Sequence, residues 1–501
     1  MKYRVILLIL GGFLANSCNS WLDVTPDSER LAEQYWQKKE DVHNTVMSCY
    51  VRMRDCLPKI VEWGELRADV FEVRQETSLE NQTKLQRQNI TPDNTITQWA
   101  PFYKMINSAN AVIQYASLVL DRDPLFTEME LNQYQAEAKV MRALAYFYLV
   151  RTFGEVPLIL NPYVTDRQEL IQPKVAEEEI LAQLLIDLRW SLKRLKTSHG
   201  EKWQTKGRAT RWLCHALMAD IYLWSEQYAD CIEACNAMIA NEDLRLVASD
   251  FEDERYEDEV WYDIFYPGLS DESIFELYFD AENDQRNSLF SWFDYSSSSR
   301  RYSLVTSLAD EFKENDQDVR GENRTYYTTG WMGLWKYLGM QVAGPSASGK
   351  RSTSVQSANW PVYRLAEAYL MRSEANLMLG NARQAAIDLN VIRQRAKVTT
   401  LREDVAEAMT QKELLMELLK ERKMEFIGEG KRWYDIVRTA KKSNFALYKD
   451  DMVALLLNNI PVSERPIYLT RLSSNNSFFL PINKDEIDRC DGVLIQNPVY
   501  Q

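Results

Sequence analysis

The chain has 501 residues, with 59 Lys and Arg against 73 Asp and Glu and a formal net charge of −14. That balance, with no concentrated basic run, excludes nucleic acid as a partner, because phosphate recognition needs a cationic face. Apolar residues at 46% and charged residues at 26% are the proportions of a globular protein with a large core.

The first residues read as an export signal. Lys2 and Arg4 precede an apolar-or-glycine run over residues 5–14, followed by Ala15, Asn16 and Ser17 and then Cys18. A run of about ten residues is half of the roughly twenty that a membrane-spanning helix needs, so residues 1–17 are expected to be a cleaved signal peptide. A cysteine at the next position is the acceptor of a bacterial lipoprotein. Acylated Cys18 would then hold the mature chain, residues 18–501, on a membrane surface, at about 0.8 kcal/mol per buried methylene.

Residues 30–244 and 361–440 are expected to form a helical scaffold. Leu213, Leu217, Ile221 and Trp224 recur at helical spacing, and Tyr228, Cys231, Ile232, Cys235 and Ile239 share the face of a second helix. Sliding residues 219–239 forward by 154 lays them on 373–393, with Leu223 on Leu377, Cys231 on Ala385 and Asn236 on Asn390. Gly380-Asn381 supplies the turn in the later copy, and Glu226-Gln227 stands in the same place in the earlier one. Residues 137–151 and 177–195 are a third candidate pair. Repeated two-helix units with small residues at their crossings predict a mainly α fold of tetratricopeptide-like hairpins.

Residues 245–360 differ. They hold a serine run at 296–299, the Gly-Pro-Ser-Ala-Ser-Gly stretch at 344–349 and strand-like pieces such as 274–279. They also hold 21 of the 57 aromatic residues, which marks this loop-rich insertion as the place for binding. The segment 441–501 is expected to be extended, with turns around Pro481 and Pro498.

Signs of catalysis are scarce. There is no nucleophile elbow, phosphate loop, zinc-protease motif or dinucleotide fingerprint, so no cofactor is expected. The three histidines, His43, His199 and His215, leave few general bases. Paired carboxylates keep a glycoside hydrolase open as an alternative. The acidic stretch 250–259 lacks the glycine and the alternating ligands of a calcium loop, and Cys231 with Cys235 supplies half of a zinc set, so no metal is assigned. Glu421, Arg422, Glu425, Arg432, Asp435 and Arg438, set around Phe426 and Trp433, read as buried ion pairs that pin a helix end.

Sugar rings present an apolar C–H face that an indole or phenol can cover while polar neighbours take the hydroxyls. Trp292, Tyr295, Trp331 and Trp335 lie within or beside Gly/Ser/Thr-rich sequence, with Asp294, Arg300 and Asn287 as nearby polar candidates. These seven residues are the expected ligand site.

Ordered phrases along the chain carry a resemblance. Cys18 to Pro26 contains Leu-Asp-Val-Thr-Pro, residues 64–69 read Gly-Glu-Leu-Arg-Ala-Asp, and residues 99–111 read WAPFYKMINSANA. Residues 142–160, RALAYFYLVRTFGEVPLIL, end in a Phe-Gly-x-Val-Pro turn, and residues 421–438 read ERKMEFIGEGKRWYDIVR. With Phe479-Leu-Pro481 and Gln496-Asn-Pro498, this set resembles the SusD/RagB family of outer-membrane nutrient-binding lipoproteins. The resemblance implies a surface-exposed lipoprotein that caps a SusC-like TonB-dependent transporter and hands over oligosaccharides or, in some members, peptides. It implies no enzymatic activity. The shared phrases are scaffold phrases, so the resemblance transfers no ligand residue. An assembly module that binds only another protein is the remaining alternative.

Overall fold

The computed structural model describes residues 34–164, 171–247, 261–294, 296–315, 317–328, 330–340, 349–350 and 357–501. The expected signal peptide, Cys18, Tyr295 and the acidic stretch 250–259 lie outside the described residues.

Among the described residues ten long helices form the scaffold: α1 (Lys39–Glu65), α2 (Ala100–Tyr115), α3 (Glu128–Phe153), α4 (Glu177–Leu192), α5 (Arg211–Trp224), α6 (Tyr228–Ile239), α7 (Leu365–Met378), α8 (Ala382–Arg395), α9 (Gln411–Phe426) and α10 (Arg432–Phe445). Each packs on the next in an unbroken row, and α10 returns to α1. The predicted repeat is met in register: α5 and α7 start and end 154 residues apart, as do the starts of α6 and α8. The third pair, α3 with α4, packs as well, although residues 154–176 separate the two helices.

Local chemistry explains the helix ends. Thr127 starts α3 with a reciprocal capping box: its Oγ1 accepts from the Glu130 amide at 3.2 Å, and Glu130 accepts from the Thr127 amide at 3.0 Å. Gly154, at φ 74°, stops it. Between these ends, residues 136–153 are almost all buried except Lys139, which is why this helix is apolar on nearly every face. Burying side chains such as Phe147 and Leu149 stabilises the fold by about 1.5–3 kcal/mol each.

The insertion is tied to the scaffold by short antiparallel strands: β1 (Phe71–Val73), β2 (Ser273–Leu277), β3 (Tyr302–Leu304), β4 (Tyr326–Thr328), β5 (Met332–Leu334), β6 (Gly339–Met340), β7 (Gly349–Lys350) and β8 (Trp360–Arg364). β1 pairs with β3, β2 with β8, β4 with β5 and β6 with β7. β1 follows α1 and β8 runs directly into α7, so both edges of the insertion are anchored to helices.

The expected ion pairs are present and buried. Arg422 meets Asp435 at 2.9 Å, Arg432 meets Asp69 at 2.7 Å and Arg438 meets Glu374 at 2.7 Å. Glu425 lies between Arg320 at 3.0 Å and Arg364 at 2.5 Å, with Arg395 as a third partner. The six described cysteines are free thiols, Cys231 and Cys235 among the buried ones.

One expectation is corrected. The segment 441–501 is not extended throughout: it contains helices Lys449–Leu457, Arg465–Arg471 and Lys484–Asp488. Met452, Val453 and Leu456 bury one face of the first, with Asp450 and Asp451 in its first turn, and Pro466 sits in the opening turn of the second. Proline marked an interruption near 481 and 498, but it also starts helices.

Candidate ligand-binding site

Asp294 Oδ1 accepts from the amide and the hydroxyl of Ser296, both at 2.9 Å, and turns the chain after Phe293. The returning strand donates from the Arg301 amide to the Trp292 carbonyl at 2.9 Å, and the Arg74 amide donates to the Arg301 carbonyl at 2.9 Å. These bonds extend the β1–β3 ladder and hold Arg301 beside Trp292. The Arg301 guanidinium lies 4.0 Å from the centre of the half-buried Trp292 ring, and the Tyr302 ring meets that indole edge-on at 5.9 Å.

The preceding residue repeats the arrangement. Arg300 places its guanidinium 4.3 Å from the centre of the Trp331 ring. Trp331 immediately precedes β5 and is 52% exposed. Consecutive arginines therefore carry two arginine–indole stacks, each a cation–π contact that fixes the ring's orientation. Burial, then the neighbouring Arg74, lowers the pKa of Arg300 from its usual value, and Glu76 opposes the shift. Arg74 itself pairs with Glu76 at 2.7 Å. From there Gln75, Glu76 and Thr77 line an open cleft of about 760 Å³ that reaches Arg87, Tyr468 and Arg471.

Three expected ligand residues have interior roles instead. Trp335 is 1% exposed, with its ring stacked on Tyr327 at 4.6 Å and Gly339 packed against it. Asn287 is buried, donating from Nδ2 to the Ala358 carbonyl at 3.1 Å and accepting from the Leu289 amide at 3.2 Å. Asp294 is buried too, as the turn-former described above. Their polar sequence context reflected loop construction, not an open surface. Tyr295 is outside the described residues. Arg74 and Arg301 were missed; only the doubled arginine at 300–301 hinted at the second stack, and nothing local pairs residue 74 with residue 301.

The arrangement offers a partly open indole and a second indole, each stacked against a guanidinium. Such an arrangement can cover a flat apolar face with polar groups at its rim. Among the described residues no three His, Cys, Asp or Glu side chains gather as a metal site.

Comparison with known proteins agrees with the fold. SusD-like protein P38 of Formosa agariphila is 26% identical over 486 residues, covering 87% of this chain and 90% of that protein. A crystal structure of a SusD superfamily protein from Bacteroides thetaiotaomicron superposes with a TM-score of 0.75 at 22% identity, over 93% of this chain and 99% of that one. A laminarin-binding SusD-like protein superposes with a TM-score of 0.69 at 19% identity, over 92% of this chain and 100% of that one. A family model described as starch-binding, associating with the outer membrane, matches residues 20–223, and the SusD family model matches residues 267–500. The two family models together take in residues 20–223 and 267–500, and with the likeness to P38 they show that the chain belongs to the SusD family.

Proposed function

We propose that the chain captures oligosaccharides at the outer membrane and passes them, unmodified, to a SusC-like TonB-dependent transporter, held at the membrane by acylated Cys18. The observation that carries this reading is Trp331, a half-exposed indole braced by Arg300 beside the Arg301–Trp292 stack. An indole in that state covers the C–H face of a sugar ring, and guanidinium N–H groups take its hydroxyls. Support comes from the starch-binding description of the family model and from the laminarin-binding relative. Affinity need not be high, since cargo must leave inward.

Calorimetric titration of residues 18–501 against laminarin-type and starch-type oligosaccharides tests this reading. Binding that falls at least tenfold in Trp331→Ala, with no new reducing ends, is expected. Turnover lost on substitution of one carboxylate would establish a glycosidase instead, and absence of all glycan and peptide affinity would leave an assembly module. Co-purification of a SusC-like transporter with this chain from native outer membrane tests the partner.

A further inference from the structure

A smaller cavity of about 260 Å³ opens on another part of the molecule, between α1, the short helix Lys202–Gly207 and the end of β2. Its size is just below the usual range for small-molecule sites and suits one ring with its substituents. Several rings line it, with Trp203 and Tyr278 side by side among them. Trp203 is 46% exposed, and its ring lies 5.7 Å from that of Tyr278, tilted by 34°. Gly207 packs beside Tyr278, where a Cβ would come within 3.4 Å of the Tyr278 Cβ. An indole this open on a six-residue helix contributes little to the core and leaves a ring face available at the mouth of the cavity.

The cavity's charges are settled with one exception. Arg208 is neutralised by a two-pronged contact to Glu137, at 2.7 and 3.1 Å. Glu276 is fully buried and accepts from the Leu269 amide, Asn359 and Ser273, and burial pushes its carboxyl pKa up. Burial also lowers the pKa of His43, followed by the effect of Arg208. Arg54 is the exception. Its Nη1 donates to the Tyr278 carbonyl at 3.0 Å and to Gln285 Oε1 at 2.6 Å, both neutral acceptors, and among the described residues it forms no ion pair. That leaves the Nε–H and Nη2–H₂ edge, the fork that fits a carboxylate.

We propose that this cavity is a second saccharide site, selective for an acidic sugar ring, with Trp203 and Tyr278 on the C–H face and the free edge of Arg54 on the carboxylate. Gln204 and Gln285 stand at the rim to take hydroxyls. The site shares no residue with the Trp331 platform; it rests on the capture reading only for the class of cargo.

The test is calorimetric titration of residues 18–501 with digalacturonate and with its neutral counterpart, galactobiose, at low and high salt. Digalacturonate is expected to bind at least tenfold more tightly than galactobiose at low salt, and less so at high salt. Trp203→Ala and Arg54→Lys are each expected to weaken digalacturonate at least tenfold, the lysine because it keeps the charge but not the fork. Trp331→Ala is expected to leave it unchanged. Trp203 is exposed enough that its replacement keeps the fold, which a melting curve verifies. Equal affinity for the two sugars, no digalacturonate binding, or a loss through Trp331→Ala with Trp203→Ala silent each overturns the proposal. Loss through Trp203→Ala alone upholds it even where the platform binds nothing.

Discussion

Glu226 and Gly380 occupy the same position in the two copies of one helical hairpin, 154 residues apart, and both adopt a left-handed backbone, at φ 59° and 83°. The turn geometry is a property of the hairpin, and only the later copy meets it with the residue that carries no penalty for it. Glu226 has a compensation: its carboxylate accepts from the Ser443 amide at 3.0 Å and so fastens the end of α10 to the turn. Gly380→Ala is therefore expected to cost about 1–2 kcal/mol from backbone strain alone, since a Cβ there meets nothing within 4 Å. Gly64→Ala is expected to cost more, because its Cβ would lie 2.0 Å from the Gly430 carbonyl oxygen. Urea denaturation of the two variants ranks them, and the reverse order would refute the account.

The hairpin pair shows what was legible in sequence. Helical periodicity and the 154-residue shift are local patterns, and both correspond to observed elements. The buried ion pairs of the 421–438 stretch were legible for the same reason: charges interleaved with Phe426 and Trp433 had to be partnered. The binding surface was not. Trp331 and Trp335 are four residues apart in the same polar context, yet one is open and the other sealed. Trp331 stands just before β5, whereas Trp335 follows it at the start of a turn and stacks on Tyr327 of β4, a contact that only the folded hairpin creates. The β1–β3 pairing that brings Arg74 to Arg301 spans more than two hundred residues and has no sequence signature.

Glu65 predicts a dependence of stability on pH. Burial pushes its carboxyl up to about 8, against the opposing donation from the Gly430 and Lys431 amides. The folded chain thus holds this proton more tightly than the unfolded chain, whose carboxyl titrates near 4.5. The resulting stabilisation is full below pH 4.5 and is lost as pH rises to about 8. Glu65→Gln removes that slope. Urea midpoints at pH 5.5 and 8.5 are expected to fall further in the parent than in the variant, and parallel falls would show that Glu65 carries no proton.

Glu425 is held in the opposite state. Burial raises its pKa, but Arg395, Arg364 and Arg320 outweigh that and hold the carboxyl well below the usual range. Glu425→Gln leaves three buried guanidiniums short of one anion, and a loss of about 3–5 kcal/mol is expected in equilibrium denaturation. The contribution of this carboxylate is present above about pH 4.5 and is lost as pH falls through its depressed folded value. The parent is therefore expected to lose stability on acidification more steeply than Glu425→Gln. An unchanged acid limb would show that the charge is not needed.

Trp331 and Trp335 separate binding from folding most directly. Trp335 is stacked on Tyr327 within the core, and Trp335→Ala removes an indole that the surroundings cannot replace, a loss of about 3–5 kcal/mol. Trp331 is half exposed, touches the Arg300 guanidinium and has little buried surface to lose, so Trp331→Ala is expected to change stability by about 0.5 kcal/mol or less. Glycan affinity should show the reverse order: a fall of at least tenfold for Trp331→Ala, and near-parent affinity for the fraction of Trp335→Ala that remains folded. Measuring melting and titration on the same preparations separates the two effects. Should Trp331→Ala bind like the parent while Trp335→Ala does not, the recognition surface would have to lie on the buried side of the hairpin, and the platform built on Arg300 and Arg301 would be abandoned.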